Sequence, residues 1–448
     1  MNSSIALCLA PTFWPKLPPL SLVCLGSFLL TKGYAVSILD LNNRFYNLAA
    51  DDLKIKWLKS IDLELEENIF SWLKKLYPEQ INQTVEELLK FDIVGFSCYQ
   101  SNFQTTLSLA ALLKQKKPKI KILLGGPQIT RLYFNDPENF SISAFANIDL
   151  LVVGEGEQAL ADYLQGKINE NKIAVFSELN DLDVYNPLLG YKQINFSAYP
   201  RKQTVSLLFS RGCVRKCVFC SERLLYKNIR TRSIANIIDE IAGHLAKNKV
   251  QTFILHDSML NMDLVTLENL CDAIIENFGK INWEAQMGIR ADMPDQLFAK
   301  IKQSGCYNLF IGLESGAKNT LKSMRKGFTP QIAVQFFEQL KKTKLYFGVS
   351  IIVGYPDESE DDLAESLEFL IRNKHLIPKI EQVNPFVYYS GTKVDRKKDF
   401  YNNKTIAAKV DYFISQLKKH KFKMTNAFLN NLIVKSSESS SAKAMEDK

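Results

Sequence analysis

Three cysteines lie within eight residues in the stretch Ser210-Arg211-Gly212-Cys213-Val214-Arg215-Lys216-Cys217-Val218-Phe219-Cys220-Ser221. Three residues separate the first pair of thiols and two separate the second, which suits a loop folded around a metal cluster better than a strand or a regular helix. Thiolates are the usual ligands of iron–sulfur clusters, and a cubane cluster has four irons. Three protein ligands leave one iron free to bind something else. We therefore predict that Cys213, Cys217 and Cys220 are metal ligands and catalytic residues.

Two other interpretations of this loop explain less of it. A zinc site usually has four ligands in two close pairs, and no second Cys/His pair lies near this one in the sequence. A redox pair needs only Cys217 and Cys220 and leaves Cys213 unexplained. The spacing, with Phe219 just before the last cysteine, resembles the cluster loop of radical S-adenosylmethionine (SAM) enzymes. The resemblance implies a [4Fe–4S] cluster whose open iron binds the amino and carboxylate groups of SAM.

The composition is that of an ordinary globular protein. The chain has 448 residues, of which 46% are hydrophobic and 23% are charged, and this length allows two or three domains. No apolar run reaches the length of a transmembrane helix, since the longest, Leu17 to Leu30, contains two prolines and a glycine. The first residues lack the basic start of a secretory signal, and the eight cysteines have no disulfide-scaffold spacing. We predict a cytoplasmic protein without a transmembrane segment.

The net charge of +8 is modest for this length, and much of it lies late in the chain. Few aromatic residues are interleaved with the late basic residues for base stacking, so a solvated helix face is favoured over a nucleic-acid surface. Residues 435–448 are rich in Ser, Lys and Glu and are predicted to be a disordered tail. The late basic residues are Lys393, Arg396, Lys397, Lys398, Lys418, Lys419, Lys421 and Lys423.

Short apolar strands alternate with helical patterns from Ile5 onward, which predicts an α/β fold with a parallel, doubly wound sheet over residues 1–165. Ligands of such sheets bind beyond the carboxyl ends of the strands, and glycines there let a ligand approach the backbone. Either glycine pair alone is also compatible with a plain tight turn. The predicted binding residues at these strand ends are Ser97, Gly125, Gly126, Glu155, Gly156 and Glu157.

Taken in order, these segments resemble the cobalamin-binding domain, Rossmann- or flavodoxin-like in fold, that precedes the core of many radical SAM enzymes. The resemblance implies that cobalamin is a cofactor. Many cobalamin domains place a histidine after the first strand to ligate cobalt from below, whereas the loop here, Pro11 to Lys16, has none. We hypothesise that an apolar side chain such as Trp14 or Phe13 covers that face of the cofactor.

The second half resumes the alternation after a predicted linker at residues 166–200. Six strands with intervening helices over residues 201–395 predict an open, partial (β/α)6 barrel, with chemistry at the carboxyl ends of the strands. Residues 396–434 are predicted to form a helical C-terminal extension at the barrel mouth. The motifs of this half resemble the radical SAM core and occur in the order of that family.

Residues at the ends of successive strands are suited to SAM, which carries an amine, a carboxylate, a ribose and an adenine. Asp257 and Ser258 offer acceptors for the amine, and Arg290 can pair with the carboxylate. Glu314 can accept hydrogen bonds from the ribose hydroxyls or the amine.

Two apolar contacts to SAM are also predicted. The turn that begins at Gly354 suits adenine stacking, and Phe219 is expected to pack against the cluster and the adenine. Most of the predicted SAM contacts have a purely structural explanation as well. Arg290 could form a local ion pair with Asp292, Glu314 could be a helix-start acid, and Gly354 could begin a simple turn.

The two resemblances together imply reductive cleavage of SAM, hydrogen abstraction from an unactivated carbon, and methyl transfer from cobalamin to a carbon or phosphorus centre. The implied partners are a small-molecule, lipid or peptide substrate and an electron donor such as flavodoxin or ferredoxin, and a nucleic acid is not expected. A cobalamin-dependent rearrangement or cyclisation without methyl transfer remains open. So does a methylthiotransferase acting on tRNA or protein, which would use Cys8, Cys24 and Cys98 for a second cluster.

Overall fold

The structure is a computed structural model that describes residues 4–62, 69–168, 172–176, 178–184, 186–247, 250–394 and 403–425. Two six-stranded sheets, each entirely parallel, follow one another along the chain and confirm the predicted α/β class. The predicted tail lies outside the described residues, as do residues 396–402 and 426–434 of the predicted extension. Within the described ranges, no helix is long and apolar enough to cross a membrane.

The first sheet contains the strands β1 (Ile5–Leu9), β2 (Val36–Asp40), β3 (Ile93–Ser97), β4 (Lys121–Gly125), β5 (Leu150–Val153) and β6 (Lys172–Val175). Their order is β2-β1-β3-β4-β5-β6, as in a doubly wound sheet. Successive side chains of a strand point to opposite faces, so Leu7 joins the core on one face and Cys8 joins the core on the other. Burial on both faces explains the nearly continuous apolar runs of these strands.

Helices cover both faces of this sheet. They are α1 (Leu20–Thr31), α2 (Leu41–Leu48), α3 (Asp51–Asp62), α4 (Ile69–Leu76), α5 (Pro78–Leu88), α6 (Phe103–Lys116), α7 (Pro127–Asn135) and α8 (Gly156–Leu164).

Strand β6 lies inside the segment predicted to be a linker. It pairs in parallel with β5, with Leu150 opposite Lys172 and Val153 opposite Val175. The first sheet therefore extends past the predicted boundary at residue 165. Four residues are too few to show a strand period, which is why the sequence pattern misses this strand.

The described residues in the rest of the linker are packed and join the two halves. It contains the short helix α9 (Pro187–Tyr191). Gly190 lies against α1, where a Cβ atom would come within 2.6 Å of the Val23 carbonyl oxygen. The Tyr191 hydroxyl donates a hydrogen bond to the carbonyl oxygen of Ser206 in the second sheet (2.6 Å). The linker thereby fixes the first domain against the barrel.

The second sheet contains β7 (Thr204–Leu207), β10 (Thr252–Leu255), β11 (Asn282–Met287), β12 (Cys306–Glu314), β13 (Phe347–Val353) and β14 (Lys379–Pro385). Two further strands, β8 (Ser210–Arg211) and β9 (Arg230–Thr231), form a separate antiparallel pair. The order of the sheet is β14-β13-β12-β11-β10-β7. In the described chain the edge strands β7 and β14 do not pair with each other, so the barrel is open, as predicted. The β8–β9 pair, which the sequence pattern does not show, encloses the cysteine loop at its base.

The helices of the second half follow the cysteine loop or pack around the sheet. They are α10 (Glu222–Leu225), α11 (Ile234–Lys247), α12 (Leu264–Phe278), α13 (Asp295–Gln303), α14 (Lys318–Ser323), α15 (Pro330–Lys342), α16 (Glu360–Arg372) and α17 (Asn403–Lys419). The last of these lies within residues 396–434, the predicted C-terminal extension.

Candidate functional site

A cavity of about 270 Å³ lies at the carboxyl ends of β10, β11 and β12. All three cysteines of the predicted cluster loop line it. Their side chains are partly or largely exposed, whereas the other five cysteines of the chain are buried. The loop therefore presents its thiols to one space at the end of the barrel where the chemistry of such barrels takes place.

The donor set of this cavity fits an iron–sulfur cluster. In the part of the chain that the structure describes, no group of three His, Cys, Asp or Glu side chains is spaced to hold a single metal ion. In a cubane each cysteine binds a different iron, so the thiols stand further apart than they would around one ion. Burial raises the pKa of the Cys213 thiol above its ordinary value, and a cysteine that binds a metal does so as the deprotonated thiolate.

Two basic side chains attach the cysteine loop to the barrel. Arg215 donates hydrogen bonds to the carbonyl oxygens of Lys326 (3.0 Å) and Ile289 (2.5 Å). The Lys326 ammonium lies 5.8 Å from the centroid of the Phe219 ring, within the range of a cation–π contact. Phe219, a predicted SAM contact, also lines the cavity.

Glu314, another predicted SAM contact, lines the cavity at the end of β12. Its backbone has a φ of +69°, a left-handed conformation that turns the chain sharply after the strand. Its carboxylate accepts hydrogen bonds from Lys326 Nζ (3.2 Å) and Ser350 Oγ (3.0 Å). One wall of the cavity thus combines a carboxylate with an ammonium group, a pair suited to a zwitterionic ligand.

Ser258 is the third predicted SAM contact that lines the cavity, and its hydroxyl donates to the carboxylate of Glu222. Burial raises the pKa of Glu222 above its ordinary value. The sequence reasoning missed Glu222, although its place two residues after Cys220 is a signal that could have found it.

Asp257 does not line the cavity, contrary to its predicted role as an acceptor for the SAM amine. Its carboxylate instead accepts hydrogen bonds from the backbone N–H and the hydroxyl of Ser210, and from the N–H of Phe209 (3.4 Å). Burial raises the pKa of Asp257 to about 6. The structure places this acid behind the cysteine loop, where it anchors the chain that enters the loop.

Arg290 and Gly354 also lie outside the cavity lining. Arg290 Nη2 is 2.5 Å from Asp292 Oδ2, and its Nη1 donates to the carbonyl oxygen of Asn261 (2.8 Å). This is the local ion pair with Asp292 that the sequence allows as the structural alternative to a SAM contact. Gly354 has a φ of +82° and packs under α17, where a Cβ would come within 2.9 Å of Ile406.

A second cavity, of about 640 Å³, lies between the carboxyl edge of the first sheet and the barrel. It adjoins the switch point between β1 and β3, the usual ligand position of a doubly wound sheet. All the residues predicted from this sheet line it, namely Ser97, Gly125, Gly126, Glu155, Gly156 and Glu157.

Gly126 shows why this edge is rich in glycine. Its φ is +101°, and a Cβ there would lie 2.8 Å from both the backbone nitrogen and the carbonyl oxygen of Cys98. No side chain fits that position without moving the β3 loop. The bare backbone at Gly126 lets a large ligand approach the sheet closely.

Aromatic rings from the loop after β1 line the same cavity. Phe13 and Trp14 both belong to its wall, and Trp14 is 40% exposed. The Phe13 ring lies 4.3 Å from the ring of Tyr99, another lining residue that the sequence reasoning missed. A wall of apolar rings opposite a glycine-rich edge fits a large flat cofactor such as cobalamin.

The barrel closes the other side of this cavity. His256 follows β10, Phe310 lies in β12 and Gln382 lies in β14, and all three belong to the wall. Gln286, the register partner of Phe310 on β11, lines the smaller cavity instead. The two cavities are therefore neighbours, separated by side chains of adjacent barrel strands.

Buried charges join the two domains between the cavities. Arg211, two residues before the first cysteine, contacts Glu157 (2.5 Å) and Glu155 (3.1 Å). Arg230 also contacts Glu155 (2.6 Å). Burial raises the pKa of Glu155, but the hydrogen bonds from Arg230 and the charge of Arg211 outweigh burial and lower it below its ordinary value.

The cysteines of the first domain do not form a second cluster site. Cys8 and Cys98 pack in the core on one face of the first sheet, and Cys24 packs in the core on the other face. A sheet thus separates the thiols that a methylthiotransferase would bring together.

Family models match both halves of the chain. The model of the radical SAM superfamily matches residues 207–370, and the model of the B12 binding domain matches residues 9–164. The chain belongs to the radical SAM enzymes that carry a cobalamin-binding domain. Its cofactors are accordingly a [4Fe–4S] cluster, SAM and cobalamin.

Individual relatives are distant. An uncharacterized methyltransferase of Pyrococcus horikoshii is 24% identical over 68% of this chain and 68% of its own. An anaerobic magnesium-protoporphyrin IX monomethyl ester cyclase of Synechocystis is 24% identical over 80% of this chain and 68% of its own. A solved structure of the cobalamin-dependent SAM radical enzyme OxsB, with aqua-cobalamin and SAM bound, is 16% identical and has a TM-score of 0.65. That match covers 98% of this chain but only 61% of the OxsB chain.

Proposed function

We propose that this protein is a cobalamin-dependent radical SAM methyltransferase that methylates an unactivated carbon or phosphorus centre of a small molecule, lipid or peptide. The observation that carries the proposal is the adjacency of the two cavities. One is lined by the three cysteines, and the other by the glycine-rich edge of the B12-binding domain. A substrate between them would contact both reactive centres.

The chain's own residues divide the work between the two cavities. Cys213, Cys217 and Cys220 hold the cluster, and Glu314 and Ser258 orient SAM through its polar groups. When bound, the cluster and SAM supply the radical that removes a hydrogen atom, and cobalamin supplies the methyl group. The role of the protein is to position these groups and to keep water away from them.

The barrel side of the larger cavity is the proposed substrate contact. Phe310 and Gln382 face it from β12 and β14, and His256 faces it from just after β10. Phe310 offers apolar surface, while His256 and Gln382 can hydrogen-bond a polar group of the substrate. A pocket that is mainly apolar with a few placed polar groups is the usual form of a small-molecule site.

Two names among the relatives support different outcomes of the same radical step. The Pyrococcus horikoshii relative is named a methyltransferase, and the Synechocystis relative is named a cyclase. Methyl transfer accounts for cobalamin directly, which is why we propose it first. Electrons would come from an external one-electron donor such as flavodoxin or ferredoxin, which could approach the exposed Val214 of the cluster loop.

The proposal can be tested before the substrate is known. Anaerobically reconstituted protein is incubated with hydroxocobalamin, a strong reductant and SAM that carries a trideuterated methyl group. A methyltransferase should form deuterated methylcobalamin, detected by mass spectrometry, because its cobalamin must be remethylated by SAM. Formation of 5′-deoxyadenosine without methylcobalamin would instead favour cyclisation or rearrangement.

A further inference from the structure

Two arginines are cross-strand partners at the base of the cysteine loop. Arg211 on β8 lies directly opposite Arg230 on β9. Their side chains are only 6% and 10% exposed. Like charges directly opposite each other destabilise an antiparallel pair, and water screens them little at this depth. The base of the loop therefore needs negative charge in order to form.

The first domain supplies that charge. Glu155 lies 3.1 Å from Arg211 and 2.6 Å from Arg230, while Glu157 lies 2.5 Å from Arg211. Each carboxylate side chain is 4% exposed. Removing one partner of such a buried pair leaves an uncompensated charge. The cluster loop is thus closed by acids of the other domain.

The same acids belong to the loop that lines the larger cavity. Glu155 lies between β5 and α8 and Glu157 lies in the first turn of α8, next to Gly154 and Gly156, and all four residues line that cavity. Because both carboxylates bind arginines, the backbone is the part of this loop that is left to contact the cofactor. A ligand that fixes this loop also fixes the acids that close the cysteine loop.

Helix α10 gives a second physical link between the cavities. It follows the last cysteine and precedes Arg230. Glu222 in its first turn lines the smaller cavity, whereas Leu225 and the adjoining Tyr226 line the larger one. Ligands in the two cavities would therefore contact one short segment from its two ends.

We infer that Glu155 and Glu157 are positioning residues that make cobalamin binding and the ordering of the cluster loop depend on each other. The inference rests on the two cofactor sites of the proposed function and is independent of methyl transfer. Thermodynamic linkage requires the effect to be reciprocal. If SAM tightens cobalamin binding in the cluster-loaded protein, cobalamin tightens SAM binding there by the same factor.

The test compares dissociation constants of hydroxocobalamin, from absorbance titrations, in the full chain without a cluster and in the full chain with a reconstituted cluster and SAM. In the natural sequence we expect about tenfold tighter binding in the second state, within the usual range of coupling between sites. In Glu157→Gln we expect the ratio to fall below about twofold, because the neutral amide does not compensate Arg211. In the cluster-loaded chain, the ratio of SAM dissociation constants without and with hydroxocobalamin should fall as well.

Asp149→Asn is the matched control. Asp149 pairs with Lys114 at 2.8 Å in a largely buried position at the opposite end of β5, and its loss should leave the ratio unchanged. If Glu157→Gln does not fold, the same ratio of dissociation constants is measured in Arg211→Lys. This variant keeps the positive charge but has a shorter side chain that no longer reaches both acids.

Two results would overturn the inference. The first is a ratio near one in the natural sequence. The second is a Glu157→Gln protein that binds hydroxocobalamin more weakly both without and with the cluster and SAM, while the ratio of the two dissociation constants stays as in the natural sequence. A merely structural role predicts that pattern. An intact ratio in an enzyme that forms no methylcobalamin would count against the proposed methyl transfer alone.

Discussion

The Asp257 carboxylate accepts hydrogen bonds from both the backbone N–H and the hydroxyl of Ser210, three residues before the first cysteine of the cluster loop. Burial raises the pKa of Asp257 from 3.8 to about 6, although the bonds from Ser210 oppose the rise. The folded protein therefore keeps a proton on Asp257 at pH values where the unfolded chain has released it.

This shift predicts a pH-dependent contribution to stability. The contribution of Asp257 is fully present below pH 3.8 and is lost as the pH rises through 6. Relative to Asp257→Asn, which does not titrate, the free energy of unfolding of the natural protein should fall by up to about 3 kcal/mol over this range. Urea unfolding of cluster-free protein from pH 4 to pH 7 measures the difference. A difference that stays constant or grows with pH would contradict the assignment.

Replacement of a cluster cysteine should abolish metal binding without unfolding the chain. In Cys217→Ala we expect iron to fall from about four per chain to below about one after anaerobic reconstitution, and cleavage of SAM to be lost. Cys271→Ala is the control, because that thiol is buried in the barrel core. Iron and sulfide assays compare the two variants, and a Cys217→Ala protein with full iron content would refute the cluster assignment.

Gly126→Ala should weaken cobalamin binding. The added Cβ meets the Cys98 backbone at 2.8 Å, and the φ of +101° strains any side chain. Backbone strain of this kind costs about 1–3 kcal/mol, so we expect hydroxocobalamin affinity to fall by about tenfold or more. Gly279→Ala isolates the effect of the clash, because Gly279 also has a positive φ of +68° but has nothing within 4 Å of a Cβ. Equal affinities in the two variants would show that the edge at Gly126 does not bind the cofactor.

Bound cob(II)alamin should lack an axial histidine. The loop from Pro11 to Lys16 contains none, and Phe13 and Trp14 occupy the wall there. In protein loaded with cobinamide, which lacks the benzimidazole base of cobalamin, the electron paramagnetic resonance spectrum of the cobalt(II) form should therefore show no nitrogen splitting from an axial ligand. His256→Ala is the companion variant, because His256 lines the same cavity from the barrel side. Nitrogen splitting that persists in this variant would contradict the prediction.

The sequence predicts best those features that are local. The spacing of Cys213, Cys217 and Cys220 and the glycines after β4 and β5 are short-range patterns, and the structure brings each set together at one cavity. Both sheets also follow from the alternation of strands and helices, because each buried parallel strand carries its own apolar run.

The partners of polar side chains are less predictable, because they depend on distant residues. Arg290 has the right charge and strand position for a SAM contact, but Asp292 lies within its reach. Glu155 and Glu157 follow β5 as predicted, yet their carboxylates bind arginines from the other domain. Nothing near Glu157 in sequence indicates Arg211, so only the packed domains reveal this pairing.

The contact between Gly190 and α1 sets a rule for building hybrids of this protein with its relatives. A crossover at residue 165 would separate β6 from the sheet it completes, and one at residue 200 would place Tyr191 against a foreign β7. A crossover at residues 180–184 preserves the sheet and keeps α9 with the barrel that holds Tyr191. Such a hybrid still requires a glycine at 190, because the groove on α1 leaves no room for even one methyl group.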